Sequence, residues 1–121
     1  MTIAATNLAV TTASSNSLAH ARRRVMHLYR DWQRAATIIP SLYLLDMPSS
    51  SVRNKIREEF EKNRHVSDIK VIDVLIAKGR MEYQETMNLW KEKSHIMRYF
   101  SQEEAPPKPD TFLEKFYAGK D

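Results

Sequence analysis

The chain reads as an all-α protein: a three-helix bundle followed by an extended, proline-rich C-terminal tail. Three observations carry that expectation. Leu18, Ala21, Val25, Leu28, Trp32, Ala35 and Ile39 recur at alternating spacings of three and four, which is one continuous helix face. Val52, Ile56 and Phe60 step by four and form a narrower ridge. Ile69, Ile72, Ile76, Gly79, Tyr83, Met87 and Trp90 trace a third stripe of helical period. At 121 residues the chain is one domain by length, divided as a flexible segment 1–16, a helical body 17–100 and a tail 101–121.

The first helix has Ser17 as its N-cap and is expected to end at Pro40. Arg23, His27, Arg30 and Arg34 also keep helical spacing, on a different face, and Tyr29 sits beside the apolar stripe. Residues 40–50 contain Pro40 and Pro48 and form a connection. The second helix begins near Ser49 or Ser50 and runs to about Asn63, with Arg53, Arg57 and Arg64 flanking its ridge. Packed antiparallel, the first two helices present one joint cationic surface. A charge run of this kind is as often only a solvated face.

The third helix is expected to start at Ser67 or Asp68 and to continue to about Arg98. Val71, Val74 and Leu75 make its first half apolar nearly all round. A strand is the rival for residues 69–76, which are rich in β-branched side chains, but the helical period continues past Gly79. Such a rod would be about 48 Å long, against a width of about 35 Å for a domain of this size. Its far end should therefore project. Beyond it, Ala105-Pro106-Pro107-Lys108-Pro109 favours an extended path. Phe112, Leu113, Phe116 and Tyr117 then form an apolar cluster that either folds back or docks on a second protein, and the projecting helix favours docking.

Composition excludes several chemistries. There is no cysteine, so disulfides and thiolate-held metal or iron–sulfur sites are absent. Two glycines cannot build a phosphate-cradling loop. His20, His27, His65 and His95 lie far apart, without metal-ligand spacing on one helix. Glu58, Glu59 and Glu61 read as a solvated helix surface, and no serine has a nucleophile-elbow context. No catalytic and no metal site is expected. No apolar run approaches the roughly 18 residues of a membrane span. The net charge of +4 arises in the first half, where basic residues outnumber acids two to one between Arg22 and Arg64. An anionic partner follows: nucleic acid, an anionic membrane or an acidic protein. Residues 1–16 are Ser/Thr/Ala-rich and acid-free, and with Arg22, Arg23 and Arg24 they have the composition of a mitochondrial targeting segment or of a plain disordered N-terminus.

The motif Leu28-Tyr29-Arg30, followed by Phe60, resembles the LYR-motif family of small mitochondrial three-helix proteins. The likeness is greatest to the branch that serves as accessory subunits of respiratory complex I. It extends through Val52-Arg53, Ile56-Arg57-Glu58, Lys62-Asn63, His65-Val66, Lys78-Gly79, Glu85-Thr86, Trp90-Lys91, His95, Met97-Arg98, Phe100, Glu104-Ala105-Pro106 and the ending Phe112-Leu113, Lys115-Phe116-Tyr117, Gly119. These blocks cover about residues 25–121, and the tail is the branch-specific part.

The resemblance implies a non-catalytic protein that binds the mitochondrial acyl carrier protein. No cofactor is bound directly; the carrier's acyl-4'-phosphopantetheine chain enters the bundle. By that comparison Tyr29, Arg30 and Phe60 are motif positions, and Arg22, Lys55, Arg57 and Arg64 fall where relatives place basic contacts to the acidic carrier. Arg53 joins them by helical position alone. Leu28, Ile56, Phe60, Ile72, Leu75, Ile76 and Gly79 would line the acyl chain, with Gly79 and Ala77 leaving room for it. Phe112, Leu113, Phe116 and Tyr117 would dock on core and accessory subunits of the complex I matrix arm, placing the protein on the matrix side of the inner membrane. Two other functions stay open: a free assembly or iron–sulfur biogenesis adaptor of the same family, and a small helical nucleic-acid-binding module suited to the basic half.

Overall fold

The computed structural model describes residues 13–101, 111–117 and 119. These residues form α1 (Leu18–Ala35), α2 (Ile39–Leu42), α3 (Ser49–Glu61), α4 (Ile69–Met87), α5 (Lys93–Met97) leading into a 3-10 turn (Arg98–Phe100), and α6 (Phe112–Tyr117), with no strand among them. The first twelve residues and the proline run 105–109 lie outside the described residues.

Local chemistry sets the helix ends. Ser17 caps α1 by accepting from the His20 N–H at 3.2 Å, and Asp68 caps α4 by accepting from the Lys70 N–H at 3.0 Å. Helix α1 stops at Ala35, short of Pro40, where the Thr37 hydroxyl donates to the Arg34 carbonyl at 2.8 Å. Pro40 instead falls in the first turn of α2, a position where its missing N–H costs no hydrogen bond.

Helix α1 packs on both other long helices, while the backbones of α3 and α4 approach each other hardly at all. Against α4 the contacts climb together. Arg24 pairs with Asp73 at 2.8 Å, Leu28 meets Gly79, Asp31 pairs with Arg80 at 2.5 Å, and Trp32 meets Tyr83 edge-on at 5.5 Å. That order makes α1 and α4 parallel. Against α3 the order reverses: the Gln33 amide donates to the Arg53 carbonyl at 3.3 Å, and Tyr29 meets Phe60. The expected antiparallel arrangement of the first two long helices holds. In the two ion pairs the signs are exchanged, Arg to Asp in one and Asp to Arg in the other. A slip of α4 by one turn would lose both attractions and bring like charges closer, so the pairs specify register.

The core is two clusters rather than one. Ala35, Ala36, Ile39, Tyr43, Leu45, Val52, Ile56 and Ile96 pack at one end, with Tyr29, Trp32 and Phe60 against them. Ala21, Ile72 and Ile76 pack at the other, with Leu18, Val25 and Val66. Leu28 is buried yet belongs to neither cluster.

The expected long third helix is shorter. Helix α4 has 19 residues, about 28 Å, and ends at Met87 instead of near Arg98. The Trp90 N–H donates to the Glu85 carbonyl at 3.0 Å and Leu89 takes φ 59°, a helix-terminating motif whose left-handed position is usually glycine. Leu44, φ 54°, ends α2 in the same way, with the Leu45 N–H donating to the Pro40 carbonyl at 2.8 Å. The stop at Met87 frees α5 to turn back, burying Ile96 and Phe100, with Lys55 Nζ 5.4 Å from the Phe100 ring centroid. Burial of those two side chains outweighs continuing an exposed helix, and no rod projects. Trp90, expected on the helix stripe, lies beyond it and is exposed. Tyr43 crosses to this turn, its hydroxyl donating to the Thr86 carbonyl at 2.7 Å, and burial raises the pKa of the phenol.

Residues 13–16, read from composition as part of the flexible N-terminus, are tied to the bundle. The Ser15 hydroxyl and backbone N–H both donate to the Asp73 carboxylate, at 2.5 and 2.8 Å, and Arg24 donates to the Ala13 carbonyl at 3.0 Å. The two Ser15 hydrogen bonds, followed by the Arg24 charge, hold the Asp73 carboxyl below its ordinary pKa.

Two stability outcomes follow. Arg80→Asp, which sets two carboxylates together between α1 and α4, should destabilise by about 1 kcal/mol, roughly 3–5 °C in Tm, and adding Asp31→Arg should restore most of the loss. A double variant no more stable than Arg80→Asp in thermal unfolding would remove the pair from the register argument. Because the folded pKa of Asp73 is depressed, its stabilisation is complete above the unfolded value of about 3.9 and fades as pH falls through the folded one. Asp73→Asn should therefore be less stable than wild type at neutral pH, and its stability should change less with acidification below about pH 4. Parallel stability profiles for the two proteins would contradict this.

Candidate functional site: a cationic face around Tyr29 and Phe60

The face shared by α1 and α3 is built on spacing. At 100° per residue, Tyr29 lies on the side of α1 that meets α3, and Phe60 lies on the matching side of α3. Their rings touch edge to face, with centroids 5.1 Å apart and planes at 83°, and both are half-buried. This is the favourable quadrupolar arrangement, worth about 0.5–1.5 kcal/mol beyond burial. Arg22, Met26 and Arg30 form one row of α1 at spacings of four, and Arg53 and Arg57 form the adjoining row of α3, with Arg64 in the turn that follows it. All six are exposed. Arg22, Arg30, Arg53 and Arg57 have no carboxylate partner among the described residues, whereas Arg64 pairs with Glu61 at 3.3 Å. The result is an aromatic pair with free guanidinium groups around it.

Met26, 47% exposed in the middle of the arginine row, was missed by sequence reasoning. Its spacing of four from both Arg22 and Arg30 was the available signal. Lys55 takes a different place. It projects from the opposite flank of α3, where it pairs with Glu58 at 2.8 Å and covers Phe100, so its side chain is only 13% exposed.

The residues expected to line an acyl chain are divided. Ile56 and Phe60 belong to one core cluster, Ile72 and Ile76 to the other. Leu75 is half-buried, while Val71 and Val74 beside it are exposed, so the first half of α4 is not buried all round. Gly79 does not stand open. A Cβ there would meet Leu28 Cδ2 at 2.5 Å, because Leu28 already fills the notch.

A separate groove of about 460 Å³ runs between α1 and α4 on the side of α1 away from Tyr29, lined by Arg24, His27, Ile76, Ala77, Arg80, Tyr83 and Gln84. Its two arginines are those engaged by Asp73 and Asp31. In the tail, Phe112, Leu113, Phe116 and Tyr117 are 60–80% exposed, with Phe112 stacked on Phe116 and Phe116 edge-on to Tyr117. Among the described residues no three His, Asp or Glu side chains gather as a metal site, and no helix is long and apolar enough to cross a membrane.

A three-helix body with an Leu-Tyr-Arg motif opposite a phenylalanine is a family signature. Residues 23–85 match the family described as Complex 1 protein (LYR family), and the chain belongs to that family. Among its relatives is the NADH dehydrogenase [ubiquinone] 1 alpha subcomplex subunit 6 of Arabidopsis thaliana, 35% identical over 86 residues, which are 69% of this chain and 65% of the relative. The protein of the same name from Dictyostelium discoideum is 32% identical over 95 residues, 78% of this chain and 77% of the relative. The chain thus matches just under two thirds of the Arabidopsis protein's length, 65%, and a larger share of the other, 77%.

Proposed function

We propose that this chain is a non-catalytic accessory subunit of mitochondrial respiratory complex I that anchors an acylated acyl carrier protein to the matrix arm. The acyl-phosphopantetheine chain enters the three-helix body. The subunit sits peripherally on the matrix side of the inner membrane. The names of the relatives support membership of the complex. The observation that carries the carrier reading is the Tyr29–Phe60 pair, set among the exposed Arg22, Arg30, Arg53 and Arg57, which have no acidic partner among the described residues. Free guanidinium groups suit carboxylates, and the aromatic pair marks where an apolar guest meets the bundle. The four exposed apolar side chains of α6 support the tail as the element that docks on the complex.

The binding would have two parts. Arginine–carboxylate contacts orient the carrier, each exposed pair contributing about 0–1 kcal/mol. Burial of the acyl chain contributes about 0.8 kcal/mol per methylene, so four buried methylenes give roughly a hundredfold in affinity. Calorimetry with the intact chain should find acylated carrier binding at least roughly a hundredfold tighter than the apo form. Arg30→Glu with Arg57→Glu should weaken both forms by a similar factor. Equal affinity of acylated and apo carrier would defeat the reading.

Deletion of residues 101–121 should leave carrier binding intact and prevent incorporation into complex I, read on a native gel. A truncated chain that still assembles into complex I would move the docking role from the tail to the helical body, and a full-length chain absent from the complex would favour the free-adaptor alternative.

A further inference from the structure

Leu28 presents a packing problem that the function above makes specific. Its side chain is 3% exposed, yet it belongs to neither core cluster. It stands between them, with Cδ2 lodged where any side chain at position 79 would begin. Tyr29 meets Phe60 while Leu28 meets Gly79, so Phe60, Leu28 and Gly79 lie at one level of the bundle. Leu75 lies one turn below Gly79 on α4 and is half-buried, and the backbones of α3 and α4 scarcely meet. An apolar chain entering past Phe60 meets Leu28 at that same level, before it reaches the second cluster at Ile72 and Ile76 one to two turns below. The interior is therefore partitioned by one side chain, whose seat is a glycine.

Resting on the acyl-carrier reading, we propose that Leu28, seated in the Gly79 notch, is the stop that sets how far an acyl chain penetrates the bundle. The seat is specific because glycine alone leaves it vacant, and a leucine side chain is held there by close contact with no hydrogen bond to break. Shortening Leu28 extends the channel towards Ile76. Adding a methyl at position 79 expels Leu28 from its seat and shortens the channel.

The test uses the full-length chain and carrier bearing an even-numbered series of saturated acyl groups in hydrolysis-resistant amide linkage. Dissociation constants are measured for wild type, Leu28→Ala and Gly79→Ala, with far-UV circular dichroism to confirm that each is folded. Wild type should show an optimal chain length. Leu28→Ala should move that optimum longer by roughly two to four carbons, the size of the side chain removed, and Gly79→Ala should move it shorter. The opposed directions keep the test decisive even if Leu28→Ala does not fold, since Gly79→Ala still has to shorten the optimum. An unmoved optimum in the folded variants overturns the stop while leaving carrier binding in place. A wild type that binds every acyl form no better than apo carrier overturns the carrier reading, and the stop with it.

Discussion

The parallel contact of α1 with α4, in which Leu28 is seated against Gly79, is the constraint on which the bundle depends. Helix α1 is the shared wall: α3 and α4 lean on it from different sides and hardly on each other. Gly79 lets the two backbones come near, and Leu28 turns that nearness into close packing. The ion pairs Arg24–Asp73 and Asp31–Arg80 bracket the contact on its outer side and hold its register. With α4 located in this way, the α5 turn falls where Ile96 and Phe100 bury against the end of the bundle. The opposite side of α1 is left for Tyr29 and its arginines.

That division gives α1 two chemically distinct sides. Towards α4 its charges are met by opposite charges on the facing helix, Arg24 by Asp73 and Asp31 by Arg80, so they contribute to structure and leave little net field. Towards α3 its cations face other cations or water, a costly arrangement for an isolated chain and a favourable one beside an acidic partner. The same surplus of unmet apolar surface marks the ends. Leu44 and Leu89 hold left-handed conformations that glycine adopts more easily, and both side chains are exposed. With Trp90 and the α6 side chains, they are features that folding of the single chain does not repay, in keeping with the proposed role as a subunit that completes its surface in an assembly.

Helix existence and facing were legible before the fold was known. The stripe from Leu18 to Ala35, the ridge at Val52 and Ile56, the cap at Ser17 and the start of α4 near Asp68 all appear as read, because period and capping are local properties. The end of α4 was not legible. Nothing in Asn88-Leu89-Trp90 announces a stop, since the residue in the left-handed position is leucine; the stop exists because Ile96 and Phe100 gain a buried site by turning back. Pro40 misled for a related reason: a proline near a helix end also suits the start of the next one, and here it begins α2.

For the site, the sequence determined which residues are chemically suited to an anionic partner and placed Tyr29, Arg30, Arg53, Arg57 and Phe60 on adjoining faces. Tertiary structure decided which of the cations stay free. Lys55 shares a helix with Arg53 and Arg57, yet it is taken up by Glu58 and Phe100, because α5 returns along that flank and no other. It also decided that Gly79 is an occupied seat rather than an open space, since only the approach of α1 brings Leu28 to it. Periodicity reports the direction of a side chain around its own helix. What meets it there depends on a second helix, remote in sequence, whose position is set by burial of the whole core.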